Sequence, residues 1–522
     1  MLNRGHRLIA AAVICLCGTL APAVVGAQPA DIPPGPLTLE QVLGLAEARS
    51  ETIAISRAGV DRAQGERTRA RSGLFPQVSA TGAYDRALAS EFEGVFDNAD
   101  FGGGTDGLGD LPFGRLNTWR LALAVSQNIY DGGRVRAQTG IAAAGREAAD
   151  LNVATARAQL LFDATQAYYD VALSDRLVRI AEATLEQAGE TLRLTQAAFD
   201  AGTQPEFDVV RARVTRDSQM PVVIRQRVNR VVALLRLKQL LDLPQDYDLQ
   251  LADALGDERL PPPPVFAARV AEVETALTVD ERAVVSVAVP SDAGFPDRTA
   301  VNEAATTVRL REASMQLAEA QKMPAVSLNS TYTRLAYPSG VVPTFDRTNW
   351  AVGASVSLPI LTGGRQRGDE HVARAELEQA RLQLRQTQEL AALDSRSAWA
   401  ELMAARATWQ ASAGTVEQAN RAYDIAQVRY TSGVSTQLEL SDARLQLQQA
   451  DANRAQAARD LQVARARMAL LPDLPLGAST PQRLQPFQVP QSPQVPPATR
   501  PQTPGVLTNV STQGGGFQAG SR

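Results

Sequence analysis

The sequence is poor in the side chains that most enzymes rely on. It holds two cysteines, Cys15 and Cys17, and two histidines, His6 and His371. Residues 1–27 read as a secretory signal peptide. Arg4, His6 and Arg7 supply the charged start, Leu8 to Leu20 the apolar core, and Val25-Gly26-Ala27 the small residue before cleavage. The mature chain then keeps His371 and no cysteine. That inventory excludes thiol catalysis, disulfides and Cys/His zinc sites. There is no Gly-x-Ser-x-Gly motif, and scattered acids on helices are far more often solvated faces than acid/base pairs. Neither catalysis nor a cofactor is expected. Lysine is scarce too: Lys238 and Lys322 are the only two, and arginine carries nearly all positive charge. A net charge of −4 without a basic stripe argues against nucleic-acid binding. Beyond the signal peptide, no apolar run reaches the ~18 residues of a membrane helix. An exported chain of this kind enters a membrane only as a β-barrel, the other structure that satisfies its own backbone in lipid.

What the chain does have is a corner that occurs twice. Trp119–Arg134 and Trp350–Arg365 each open with tryptophan and alternate apolar with small or polar residues. Each turns on Gly-Gly-Arg (Gly132, Gly133 and Arg134; Gly363, Gly364 and Arg365) and runs into a long alanine-rich stretch. The offset of 231 still holds at Gly202 and Gly433, and at Leu243-Pro244 and Leu474-Pro475. A gapless correspondence of that length is an internal repeat.

In chain order, an extended leader (28–37) precedes a first repeat (38–244), a Pro-rich equatorial segment (245–297), a second repeat (298–475) and a Pro/Gln-rich tail (476–522). The tail has no composition for a core and reads as disordered. Thr38 and Gln41 have the spacing of a capping box, and a break near Ser50 divides the helix that follows. Strands are expected near 77–84, 119–130, 325–333 and 350–361. In the second, Trp119, Leu121, Leu123, Val125 and Ile129 share one face, opposite Arg120, Ala122, Ala124, Ser126 and Asn128. In the fourth, Trp350, Val352, Ala354, Val356, Leu358 and Ile360 oppose Ala351, Gly353, Ser355 and Ser357. An apolar face against a small, polar one suits lipid outside and water inside; a half-buried sheet gives the same alternation. Tyr84, Trp119, Tyr130, Tyr332 and Trp350 fall near strand ends, where an aromatic girdle lies. The loop at 85–118 includes a Gly/Asp run, Gly102 to Asp110, whose glycine spacing does not fit calcium-binding nonapeptides; it reads as a solvated acidic loop.

Arg134 to Asp200 is unbroken by proline and rich in helix formers, and at 1.5 Å per residue spans about 100 Å. Pro205 opens a return helix at its tolerated first position. That helix is expected to reach Leu243, with a kink at Pro221. Together with the helix at 298–321 it sums to roughly 95 Å. Each repeat is thus a hairpin with one continuous helix and one built from two pieces, the Pro-rich segment lying beside the joint. Four strands cannot close a barrel, and open edges do not survive in hydrocarbon. The strands therefore predict an oligomer without giving its number.

The export signal, the doubled strand–Gly-Gly-Arg–helix corner and two turns of the form aromatic-x-x-Gly (Phe199-Asp-Ala-Gly202 and Tyr430-Thr-Ser-Gly433) resemble the TolC family of outer-membrane efflux proteins. The resemblance covers roughly residues 38–475. It implies an α+β fold: a trimeric outer-membrane β-barrel, four strands per protomer, continued by a long periplasmic α-helical barrel. It implies a passive channel, its tips at Phe199, Gly202, Tyr430 and Gly433 docking a periplasmic adaptor that joins an inner-membrane pump. Glu439 and Asp442 match tip carboxylates that line the constriction. Ser435 stands where the founding member has arginine. In the first half Asp208 matches Glu439, but Arg211 replaces Asp442. Small-molecule export is the implied function; type I protein secretion uses the same architecture. The alternative from another class, an exported coiled-coil spacer, would lack amphipathic strands.

Overall fold

The computed structural model describes residues 35–88, 117–252, 255, 260–276, 298–337, 345 and 347–477. The signal peptide, most of the leader and of the 85–118 loop, part of the Pro-rich segment and nearly all of the tail lie outside the described residues. The elements are α1 (Leu39–Arg49), α2 (Glu51–Ser72), β1 (Gln77–Arg86), β2 (Asn117–Tyr130), α3 (Arg134–Asp200), α4 (Glu206–Leu240), α5 (Ala267–Ala276), α6 (Thr299–Ala320), β3 (Ala325–Ala336), β4 (Arg347–Ser357), α7 (Arg365–Thr431) and α8 (Gln437–Leu470).

Local chemistry sets the boundaries. The Thr38 hydroxyl accepts from the Gln41 N–H while the Gln41 side chain accepts from the Thr38 N–H, closing the capping box. Ser50 ends α1 and caps α2, accepting from Ile53 N–H. The long helices α3 and α7 have the same 67 residues in each repeat. One expectation is corrected: α4 ends at Leu240 and not at Leu243; Pro221 lies inside it, as expected of one continuous return helix.

Packing makes a layer that changes partners halfway. On the side of the sheet the helices lie in the order α2, α3, α6, α7; on the side of the hairpin tips the order is α4, α3, α8, α7. Helices α3 and α7 run the whole length, and the short helices replace one another at the middle. The main core sits at that joint. Tyr168 of α3, Leu237 and Leu241, Leu260, Phe266 and Val270, and Leu461 and Leu474 are all buried there, with Leu39 and Val42 of α1. Leu37 joins Leu251 by a parallel bridge. The junction of α6 is tied down by a buried ionic knot: Arg298 donates to Asp394 (2.8 Å), and Arg467 donates to the same carboxylate (3.0 Å). The Arg459 guanidinium donates to Asp170 across α8 and α3 (2.8 Å).

The four strands form one antiparallel sheet in chain order, β1-β2-β3-β4. Paired residues share a face, so the register settles the faces. Tyr84, Trp119 and Ala336 lie in one row, and Leu123, Tyr332 and Trp350 in another. That face continues through Val78, Leu121, Val125, Leu328, Val352 and Val356. The opposite face holds Ser79, Thr81, Ala122, Ala124, Ser126, Ser327, Asn329, Thr331, Gly353 and Ser355. One residue departs from the expected alternation. Asn128 pairs with Ser327 but Tyr130 with Val326, so Ile129 is an extra, bulged residue and Tyr130 takes the apolar face. Strand β4 ends at Ser357, short of the expected 361; Pro359, which has no N–H for the ladder, follows.

Candidate functional site: the sheet, its corners and the hairpin tips

The sheet is exposed on both faces. Val78, Leu121, Leu123, Trp350, Val352 and Val356 all stand open on the apolar side, Trp350 at 69%. A water-soluble sheet buries such a face; among the described residues nothing covers this one. Strands of 10–14 residues match the length needed to cross a bilayer at a tilt. The aromatics lie toward both ends of the sheet. Tyr84 and Trp119 touch at the end remote from the helices (ring centroids 4.7 Å apart), with Tyr332 and Trp350 paired nearby on the same face. Tyr130 sits at the helix end. No helix among the described residues is long and apolar enough to cross a membrane.

The Gly-Gly-Arg corners reverse the chain from strand to helix through left-handed glycines: Gly132 and Gly133 at φ +67° and +92°, Gly363 and Gly364 at +60° and +89°. In the first copy the Asp131 carboxylate accepts from the N–H groups of Gly133 (2.9 Å) and Val135 (2.8 Å), capping α3. Sequence reasoning passed over Asp131, although an acid beside a helix start is a capping signal. Its counterpart is Thr362. A Cβ on Gly132 would lie 2.4 Å from the Met323 Cβ, because the turn from α6 into β3 packs against this corner. Around Gly363 there is open space.

At the other end, each tip closes with the same pair of bonds. Gly202 N–H donates to Phe199 C=O and Thr203 N–H to Ala198 C=O; Gly433 donates to Tyr430 C=O and Val434 to Arg429 C=O. This Schellman pattern requires a left-handed residue, and Gly202 (φ +74°) and Gly433 (φ +72°) supply it. Phe199 and Val434 project at the surface. Tyr430 does not: it is buried, packed with Tyr423, Ala426 and Leu440, and its hydroxyl meets Thr195 Oγ1 of the first hairpin at 2.7 Å. The Tyr430 hydroxyl also donates to Gln204 (3.4 Å). The buried Gln437 amide, oriented to satisfy both neighbours, donates to the Asp208 carbonyl (3.0 Å). Thr195, Gln204 and Gln437 thus tie the two hairpins together within one chain. Nothing in the sequence singles them out, since neutral polar residues on a helix read as a solvated face. Of the two tip acids, Glu439 faces Arg429 across the turn (3.4 Å) and Asp442 is exposed one turn further on. No cluster of metal-ligating side chains occurs among the described residues.

A sheet with a lipid-type face and a water-type face, carried on helical hairpins of about 100 Å, is the build of an outer-membrane export channel. The comparisons agree. The outer membrane efflux protein model matches residues 42–242 and 297–472, and the chain belongs to that family. The outer membrane efflux protein BepC of Brucella suis is 24% identical over 82% of this chain and 83% of its own. The pyoverdine export outer membrane protein OpmQ of Pseudomonas aeruginosa is 25% identical over 78% of each. The fold superposes on the Campylobacter jejuni CmeC outer membrane channel with a TM-score of 0.64 at 16% identity, over 84% of this chain and 87% of that one. The protein is an efflux channel of the outer membrane.

Proposed function

We propose that three copies close their sheets into one twelve-stranded barrel, and that their helices continue it as a tunnel through the periplasm. The tips at Gly202 and Gly433, with Phe199 and the Tyr430 turn, dock a periplasmic adaptor coupled to an inner-membrane pump. The tunnel itself is passive, performs no catalysis, and passes small molecules. Glu439 and Asp442 line the narrow end. OpmQ, whose name assigns it pyoverdine export, favours small-molecule cargo.

The observation that carries the assembly is an unequal pair of corners. The first corner is packed against the α6–β3 turn at Met323, whereas a Cβ placed on its repeat, Gly363, would meet no atom within 4 Å. The equivalent turn, from α2 into β1, exposes Leu74 and Phe75 at the other edge of the layer. A second copy placed by the same pseudo-symmetry fills both. It also pairs the free edges of β1 and β4 and covers the apolar stripe of α4, in which Phe207, Val210, Val214, Ile224, Val228 and Val231 stand exposed.

The mature chain lacks cysteine, so a single one placed at Val434, which is 71% exposed at the tip, can carry a photo-crosslinker. Capture of a periplasmic adaptor by outer-membrane-inserted trimer is expected, and the adaptor's identity reads out the pump class. Trimers that capture no adaptor in cells actively exporting would rule out docking at this tip.

A further inference from the structure

The polar face of the sheet carries little charge. Row after row, it consists of small and uncharged residues. One row departs from this. The register sets Ala83, Arg120, Leu335 and Arg347 side by side across β1, β2, β3 and β4, near the end remote from the helices. Among the described residues, Arg120 and Arg347 are the only cations on that face of the strands, and Asp85, one row further out, is its only acid. The two arginines stand two strands apart, about 10 Å at the usual strand spacing.

The fold does not demand either arginine. The repeat mate of Arg120 is Ala351, and that of Arg347 is Leu116. Packing does not explain them: Arg120 is exposed, and among the described residues no hydrogen bond or ion pair reaches its guanidinium. Asp85 on the neighbouring strand is exposed as well and leaves Arg120 unpaired. The Arg347 guanidinium lies over the Tyr337 ring, 5.7 Å from its centre, at the same end of the sheet. A guanidinium presents a rigid fork of N–H donors that matches the two oxygens of a carboxylate or phosphate. Rings of arginine or lysine in a water-filled passage favour anions. Small neutral walls on the helix side leave that field uncompensated along the sheet.

We propose that Arg120 and Arg347 form an anion-binding belt inside the barrel, a subsite for small cargo that carries carboxylate or phosphate groups. This rests on the channel reading above, in which three copies bring these arginines to one level of the lumen. Citrate is the probe, added to one side of a planar bilayer at constant ionic strength. From the barrel side it is expected to lower the wild-type conductance at millimolar concentration. Arg120→Gln combined with Arg347→Gln should weaken that block by about tenfold or more, the worth of one charge-assisted hydrogen bond. Arg120→Lys, which keeps the charge and loses the fork, should fall between. Both positions lie on the solvated face, and a native gel checks that each variant still assembles. A block unchanged in the double variant overturns the proposal. So does a wild type that citrate does not block, the result expected if carboxylates of the chain's own 89–116 segment fill the belt. Wild-type protein that conducts nothing would count against the channel reading instead. Calorimetric titration of citrate into the detergent-solubilised protein, wild type against the double variant, would then decide the belt by itself.

Discussion

Single residues in this protein matter where they leave no room for another. Gly132 and Gly133 both adopt positive φ, yet only Gly132 is pressed by a neighbour, Met323. Gly133→Ala therefore meets backbone strain alone, about 1 kcal/mol. Gly132→Ala adds a steric clash, and a total of roughly 2–4 kcal/mol is expected. Thermal dissociation of the detergent-solubilised channel separates the two variants. Asp170 is a second such residue. Burial raises its carboxyl pKa, although the Arg459 cation pulls it back. A raised carboxyl contributes stability that is fully present below its unfolded value and is lost as pH climbs through the folded one. In Arg459→Met the cation no longer opposes burial, so that pKa rises further. The variant should be destabilised by ~3–5 kcal/mol at neutral pH, as for any buried pair broken on one side. It should regain part of that on acidification; a melting temperature with wild-type pH dependence would contradict this.

At the scale of elements, the sheet shows how one residue of register decides chemistry. Val352 and Ala351 are neighbours on β4, but Val352 pairs with Ser330 on the apolar face and Ala351 with Thr331 on the polar one. Val352→Arg should cost about 2–4 kcal/mol in folding into lipid vesicles, and Ala351→Arg far less. Equal costs would mean the faces are not lipid and water. The alternation of β2 and β4 was legible in the sequence because strand periodicity is a local property. The bulge at Ile129 was not, since it exists only in the mismatch between β2 and β3. The same division holds at the tips. The turn glycines could be read from the chain, because a Schellman closure demands them. The bond between Tyr430 and Thr195, more than two hundred residues apart, could not.

For the whole molecule, the layer of helices has two unlike edges. Helix α3 is flanked on both sides, whereas α4 and α7 each have one side open. Val228 stands on the open side of α4, 54% exposed. Val228→Asp should leave the isolated chain within about 0.5 kcal/mol of wild type, as for an exposed surface site. In the proposed trimer it places a charge in a helix seam, and native mass spectrometry should show fewer trimers. Undiminished trimer would place the contact elsewhere.

The sequence by itself determined the repeat, the length of the long helices, the two-piece partner of each, and the two-faced strands. All of these follow from periodicity, from proline and glycine at fixed offsets, and from the rise per residue. It also determined that four strands leave open edges. Only the tertiary structure decided the exchange of helix partners at the middle, the ionic knot around Asp394 and the bonds between the hairpins. Those depend on which residues meet across long stretches of chain. An arginine that pairs and one that does not look the same in sequence, and only the packing around them tells them apart.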